Sequence, residues 1–406
     1  MMKMMKFEIK KVFSKFKNKI AIFLLLIILI ATSILTMNRV EYVDANGNIS
    51  SGIAAAKNLS AEQNKWSGYL TEDVFMEVLK ENERINNSPE ALSEDIQDQD
   101  KAYGKKQGIS RIVELINTSF SEWRDYNDYA IDNVSVEEVK EVYAKRISAL
   151  KKYLNSGEET FTDAQKKFLI KRYEDLKTPF YYEYMGGWVA LLQNISTFIL
   201  MLALVIGFFV SGIFSDEFQT KADSIFFSSK LGRNKAIVSK ISAGFLITTA
   251  LYVVFVLLYT VIVLLALGAD GANCPIQLDL WRSAYNITFF QAYLLIVVGG
   301  YVGTLFAAII SMIVSAAARS TATAVIVPFI ILCMFPFLSR IITLPGICSF
   351  FPDQLLEVYI SIKDFQLVEI GGRVMSVVTV IIPVYMAVCL FLLPVLYRVY
   401  KKVEIK

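Results

Sequence analysis

The chain has no histidine and only four cysteines in 406 residues. Without imidazole, the common histidine metal sites and histidine-based acid–base chemistry are excluded. No Gly-x-x-x-x-Gly-Lys-Ser/Thr pattern occurs, so ATP phosphates have no loop of the usual kind to lie in, and no Gly-x-Ser-x-Gly elbow is present. The long apolar runs are empty of Asp, Glu, Lys and Arg at their centres. A carrier driven by protons or sodium normally keeps ionisable groups there, because a charge at the bilayer centre costs several kcal/mol and is tolerated only for function. Energy must then come from elsewhere, or the protein does not transport at all.

The residues that are present make a membrane protein. Hydrophobic residues are 55% of the chain and the mean hydropathy is +0.47, too apolar for a soluble globular protein. Six runs are long enough to span: 20–37, 187–213, 236–267, 289–317, 321–341 and 375–396. The sequence therefore predicts an all-α membrane protein of six transmembrane helices, with a mainly helical extracytoplasmic domain at 38–186. A cleaved signal peptide is the alternative for the first run, whose start is basic, but that run exceeds the usual ~7–15 residue signal core.

Charge sets the orientation. Residues 38–186 hold 20 Lys and Arg against 27 Asp and Glu, and the rest of the chain 21 against 11. Seven lysines (Lys3, Lys6, Lys10, Lys11, Lys15, Lys17 and Lys19) and the single acid Glu8 precede the first run. Arg398, Lys401, Lys402 and Lys406 follow the last. The positive-inside rule places both termini in the cytosol, with the 214–235 loop and Arg319, and puts 38–186, 268–288 and 342–374 outside; the Lys- and Ile-rich composition without histidine suggests a bacterial plasma membrane. Residues 1–19 read as a basic amphipathic helix, with Phe7, Ile9, Val12, Phe13, Phe16 and Ile20 toward lipid. Residues 398–406 form a cytosolic tail.

In the insert, Ser135–Glu138 and Thr162–Gln165 match the capping box that satisfies free amides at a helix start. Apolar residues recur at helical spacing after each, a third helix is expected from Thr71, and 86–108 reads as a polar loop. Tyr181, Tyr182, Tyr184 and Trp188 are expected to form an interfacial aromatic belt. Gly299/Gly303 and Gly207/Ser211 are small-residue pairs that allow close helix approach, and Pro328, Pro336 and Pro383 suggest kinked spans. Apolar pieces at 347–351 and 355–362 are too short to cross and are expected to dip back as re-entrant helices or to cap the bundle. Cys274 and Cys348 fall in two outward loops and are candidates for a disulfide, which spacing alone does not decide.

The polar island between the second and third runs carries the functional signal. Asp216 and Glu217 close the second run, and 220–231 reads as a short helix exposing Ile225, Phe226 and Phe227. Gly232 stops it, and Arg233, Lys235 and Lys240 lead into the third run. Two adjacent phenylalanines on a cytosolic loop call for burial by lipid or by a partner.

In its six-span layout, amphipathic start, acidic residue, short helix and basic turn, the chain resembles the ABC-2 type membrane permeases, also called type V ABC transporters. Glu217, the 220–231 stretch, Gly232-Arg233 and Lys240 occupy the places of the family's loose cytosolic pattern, and the apolar loop before the last span completes the likeness. Lys221-Ala-Asp223 stands where the family has a Gly or a Thr-Leu pair, and the large insert is absent from many members. The resemblance implies a non-catalytic permease subunit of an exporter of a peptide, lipid-like or antibiotic-related compound. It implies a separate nucleotide-binding subunit that holds ATP and Mg, this chain binding no cofactor itself, and a second permease chain, identical or paralogous. Membrane lipids are the remaining partner, and nucleic acid is none. Thr220, Lys221, Asp223, Ile225, Phe226, Phe227, Ser228 and Leu231 would meet the ATPase, with Glu217, Arg233 and Lys240 orienting them. The competing reading is a membrane sensor or accessory protein whose extracytoplasmic domain binds a ligand or peptide.

Overall fold

The computed structural model describes residues 2–229, 231–341 and 348–402, with the side chains of 335–341 outside that description. Helix α1 (Met2–Ser14) runs into α2 (Phe16–Met37) through a single extended residue, Lys15. The buried Asn18 amide donates to the Val12 carbonyl at 2.8 Å and holds this bend. The insert then forms hairpin β1–β2 (Glu41–Val43, Ile49–Ser51) and helices α3 (Ile53–Gln63), α4 (Glu72–Asn86), α5 (Ile96–Lys106) and α6 (Ser110–Phe120). Helices α7 (Val136–Val139), α8 (Val142–Asn155) and α9 (Asp163–Glu174) follow. Strands β3 (Gly68–Tyr69) and β4 (Tyr181–Tyr182) pair antiparallel and bring the start and end of the insert together.

Both capping boxes form, at Ser135 with Glu138 and at Thr162 with Gln165. The expected polar loop at 86–108 is partly helix instead. Asp95 caps α5 by accepting from the Gln97 amide, and Gly104 lets that helix approach the Val43 and Asp44 carbonyls of β1. A helix so polar has little period to read; tertiary packing supplies its stability.

The rest of the chain is the membrane half. It comprises α10 (Gly186–Gln219), a short helix α11 (Asp223–Ser228), α12 (Ile237–Leu267), α13 (Phe289–Ala318) and α14 (Thr321–Ile341). After a 3-10 turn (Pro352–Leu355) come α15 (Val358–Lys363), hairpin β5–β6 (Leu367–Ile370, Arg373–Ser376) and α16 (Val377–Lys401). Among the described residues, α2, α10, α12 with the turn before it, α13 and α16 are five helices long and apolar enough to cross a membrane. Helix α14 is apolar over Thr321–Met334. Pro336 and Ile347, two positions used in the sequence reading, lie outside what is described of side chains.

Helix α10 is the axis of the bundle, packed by α2, α12, α13 and α14. Gly207 and Ser211 act as expected of small residues: Ser311 Oγ donates to the Gly207 carbonyl at 3.0 Å and Ser315 Oγ to that of Ser211. Gly299 and Gly303 do something else. An added Cβ at Gly299 would stand 2.6 Å from Val358 Cγ2, and one at Gly303 3.0 Å from Leu356 Cδ2. These two glycines receive the 3-10 turn and the start of α15 most closely, and Gly299 also faces Ile382 of the spanning helix α16, whose Cδ1 would be 3.6 Å from an added Cβ.

The insert rests on the α12–α13 connection at the end of the bundle opposite α1. Arg146, 3% exposed, donates from Nε to the Trp281 carbonyl and from Nη2 to that of Ser283, both at 3.1 Å. Its guanidinium lies 3.7 Å from the Tyr173 ring centroid, and burial lowers its pKa to about 10. Arg111 reaches Asp279 at 3.3 Å beside it. Truncating Arg146 to alanine leaves the buried Trp281 carbonyl without a donor and the Ser283 carbonyl with only the Gln277 amide at 3.4 Å, so R146A is expected to cost about 2–3 kcal/mol. Thermal unfolding of the detergent-solubilised chain reads this, and an unchanged midpoint would remove the contact from any role in holding the insert.

Two expectations are corrected here. Tyr182 and Tyr184 are fully buried in protein, and Trp188 donates to the Ala269 carbonyl at 2.9 Å, so this aromatic group packs the insert onto the bundle instead of forming a lipid belt. Cys274 and Cys348 form no disulfide. Cys274 is buried in the α12–α13 connection near Glu183, where desolvation pushes its thiol up to about 12, while Cys348 leads into the turn packed on α13 and α14.

Candidate functional site

The expected polar island is built differently from its sequence reading. Helix α10 continues through Phe214 to Gln219, past the apolar run. Thr220 then caps it, its amide and hydroxyl both donating to the Asp216 carbonyl at 2.9 and 2.7 Å. Lys221 takes a left-handed conformation, φ 54°, which turns the chain back, and its exposed side chain leaves the turn. Helix α11 spans six residues in place of the expected 220–231, with Asp223 in its first turn and the Ser228 hydroxyl donating to the Ile225 carbonyl. A π-turn, Gly232–Ala236, leads into α12. Gly232 is obligatory there because an added Cβ would collide with the Phe226 carbonyl.

The two phenylalanines do not project outward as expected. Phe227 is 5% exposed and Phe226 half-buried. Their rings lie 5.1 and 5.7 Å from that of Tyr400 near the end of α16, which also contacts Phe214 at 4.7 Å and Phe218 at 6.0 Å. Edge-on ring pairs at such spacings contribute about 0.5–1.5 kcal/mol each beyond burial. Arg233 lies over the Phe227 ring at 4.8 Å and donates to the Lys401 carbonyl at 2.7 Å, tying the π-turn to α16. With both rings turned inward, the apolar surface left is Ile225, 74% exposed, with the exposed Leu231.

Beneath this ring cluster lies an ion network that joins four elements, α1, α2, α10 and α12. Lys240 in α12, 0% exposed, contacts Glu217 Oε1 at 2.6 Å and Glu8 Oε2 at 3.1 Å, and donates to the Ile213 carbonyl at 3.0 Å. Glu217 also accepts from Lys11 at 2.6 Å, and Asp216 pairs with Lys15 and Lys17. A buried lysine needs such partners, since an unpaired charge in this setting shifts its protonation or unfolds the site. Glu8, Lys11 and Val12 thereby fix α1 against α10 and α12, and Phe13 meets Phe209 edge-on at 5.2 Å. Phe7, Phe16 and Ile20 face outward. Only part of the expected apolar face of α1 is therefore available to lipid.

The structure thus gathers Glu217, Phe226, Phe227, Arg233 and Lys240 in one unit, and places Thr220, Lys221, Asp223, Ile225, Ser228 and Leu231 along its outer edge. Sequence reasoning missed Tyr400 and Glu8. Glu8 had a signal, as the single acid among seven lysines. Tyr400 had none. Among the described residues no group of three or more Cys, Asp or Glu is arranged to hold a metal.

The fold and this site define a multi-pass helical membrane protein with a short, aromatically anchored helix between two of its spans. The chain belongs to the ABC-2 family: the family model described as ABC-2 family transporter protein matches residues 9–357, from α1 through to the start of α15. It is a transporter permease of that type, a family whose members are membrane subunits associating with an ATP-binding subunit. No curated protein and no solved structure shows significant similarity to it.

Proposed function

We propose that the chain is the permease of an ATP-driven exporter in a plasma membrane, with α1, α11 and both termini in the cytosol. Helix α14 serves as the sixth span, the insert lies outside, and Phe7, Phe16 and Ile20 lie in the inner leaflet. Two such chains, identical or paralogous, form the path, and the ATPase subunit supplies ATP and Mg. A single observation carries this reading: α11 presents Ile225 on a rigid backing of rings and ion pairs that reaches α1, α10, α12 and α16. A helix held this way transmits a push from a partner to several spans as a rigid body. The seven N-terminal lysines support the orientation.

The test is co-expression of the full chain with a soluble ATPase subunit that has a phosphate loop and no spans of its own. Stable co-purification and ATP hydrolysis that responds to the membrane subunit are expected. A chain recovered alone, whose insert binds ligand without any ATPase, would overturn the exporter reading in favour of a sensor.

A further inference from the structure

A cavity of about 470 Å³ opens between α10, α14, the 3-10 turn and α15. Its size suits one drug-sized molecule. One part of its wall is apolar, with Leu200, Leu332, Leu356 and Ile360, and another is polar, with Gln193, Ser196 and Thr197 of α10. Two carboxylates four residues apart, Asp353 and Glu357, complete it, and no Lys or Arg is among its lining residues.

Asp353 is the unusual member. It is 2% exposed, its Oδ2 accepts from the neighbouring Gln354 side-chain amide at 3.1 Å, and its Oδ1 is buried with no side-chain donor among the described residues. Ser196 Oγ on the opposite wall is likewise buried without a partner. Burial raises the pKa of both carboxyl groups, and that of Glu357 is raised further by Asp353. A carboxylate taken out of water without a cation is costly, and natural proteins rarely leave one so unless something arrives to pair it. The side of the wall formed by Leu200, Leu332, Leu356 and Ile360 is apolar, so the arriving group carries an apolar body.

Building on the exporter reading, we infer that the chain takes an amphipathic organic cation as its substrate, the charged group held by Asp353 and Glu357 and the apolar body against Leu200, Leu332 and Leu356. A hydrated metal ion has no use for that apolar wall, and an anion would meet two like charges. Asp353 and Glu357 are the specificity-determining residues, and Thr197, exposed on α10, lies at the cavity's side.

The experiment measures equilibrium binding of radiolabelled tetraphenylphosphonium to the full chain in phosphatidylcholine nanodiscs, with empty nanodiscs subtracted. Saturable binding is expected. It should weaken by about tenfold in D353N and less in E357Q, as for loss of one charge-assisted contact. Thr197→Trp, which fills the cavity from the α10 wall and leaves both carboxyl groups in place, should abolish it. Tetraphenylborate, of the same shape and opposite charge, should not compete. Unchanged binding in both D353N and Thr197→Trp, equal competition by tetraphenylborate, or displacement by submillimolar Mg²⁺ would each overturn the inference. The measurement needs no ATPase subunit. Binding that fails while co-purification stands refutes the inference alone, and binding that stands while co-purification fails refutes the exporter reading alone.

Discussion

Replacing Ile225 by aspartate is expected to reduce recovery of the ATPase subunit, and ATP-dependent transport with it, by tenfold or more, while the chain's own thermal unfolding stays unchanged. Ile225 is largely exposed, so a carboxylate there costs the isolated subunit nothing of consequence. Under a docked partner the same carboxylate is buried without a cation, and removing a single apolar anchor from the centre of an interface already costs 2 kcal/mol or more in ~hot-spot positions. Ile225→Ala should show the same direction with a smaller loss. Phe227→Ala should behave differently, because Phe227 packs on Tyr400 and Phe218 inside the chain: assembly and unfolding temperature should fall together. If I225D assembles and transports normally, α11 is not where the ATPase binds.

The second large effect concerns Lys240. Converting it to methionine keeps the stem and removes the charge, leaving Glu8 without its cation and Glu217 with Lys11 alone. Breaking one side of a buried ion group costs about 3–5 kcal/mol, so K240M is expected to unfold or to release α1, read as a lowered unfolding temperature and faster proteolysis within residues 2–14. Glu8→Gln should be milder, near 1 kcal/mol in ~typical hydrogen-bond terms, because the amide oxygen still accepts from Lys240. High salt should change neither result much, since a pair without solvent access is poorly screened. A K240M chain as stable as the parent would mean that α1 is held by its apolar contacts alone.

These two substitutions mark how far the site could be read before its geometry was known. Glu217, Arg233 and Lys240 were found from their places at the ends of apolar runs, because a membrane forces charge to the run boundaries and so makes boundaries visible. The length and facing of α11 were not visible. A six-residue helix has too little period to show which side is buried, and Phe-Phe looks the same in sequence whether it meets a partner or an aromatic ring from the far end of the chain. Tyr400 is more than 170 positions from Phe227, and no local rule links them. The same limit applies to α5, whose polar composition reads as loop, and to Gly299 and Gly303, whose spacing suggests a helix contact and whose tightest neighbours are Val358 and Leu356.

By itself, the sequence determined the class of this protein: a helical membrane chain with charge-free spans, no phosphate loop and a basic start. Hydrophobic run length, capping boxes and charge asymmetry are local or compositional quantities, and the membrane makes them decisive because unsatisfied backbone and unpaired charge are both excluded from hydrocarbon. Only the tertiary structure decided that Phe226 and Phe227 face inward and Ile225 outward, that Lys240 bridges Glu8 and Glu217, and that Asp353 lies buried with no cation in the lining of a cavity formed with α10. Each of these depends on which distant elements come to pack together, a matter settled by side-chain fit across the bundle and not by any pattern along the chain.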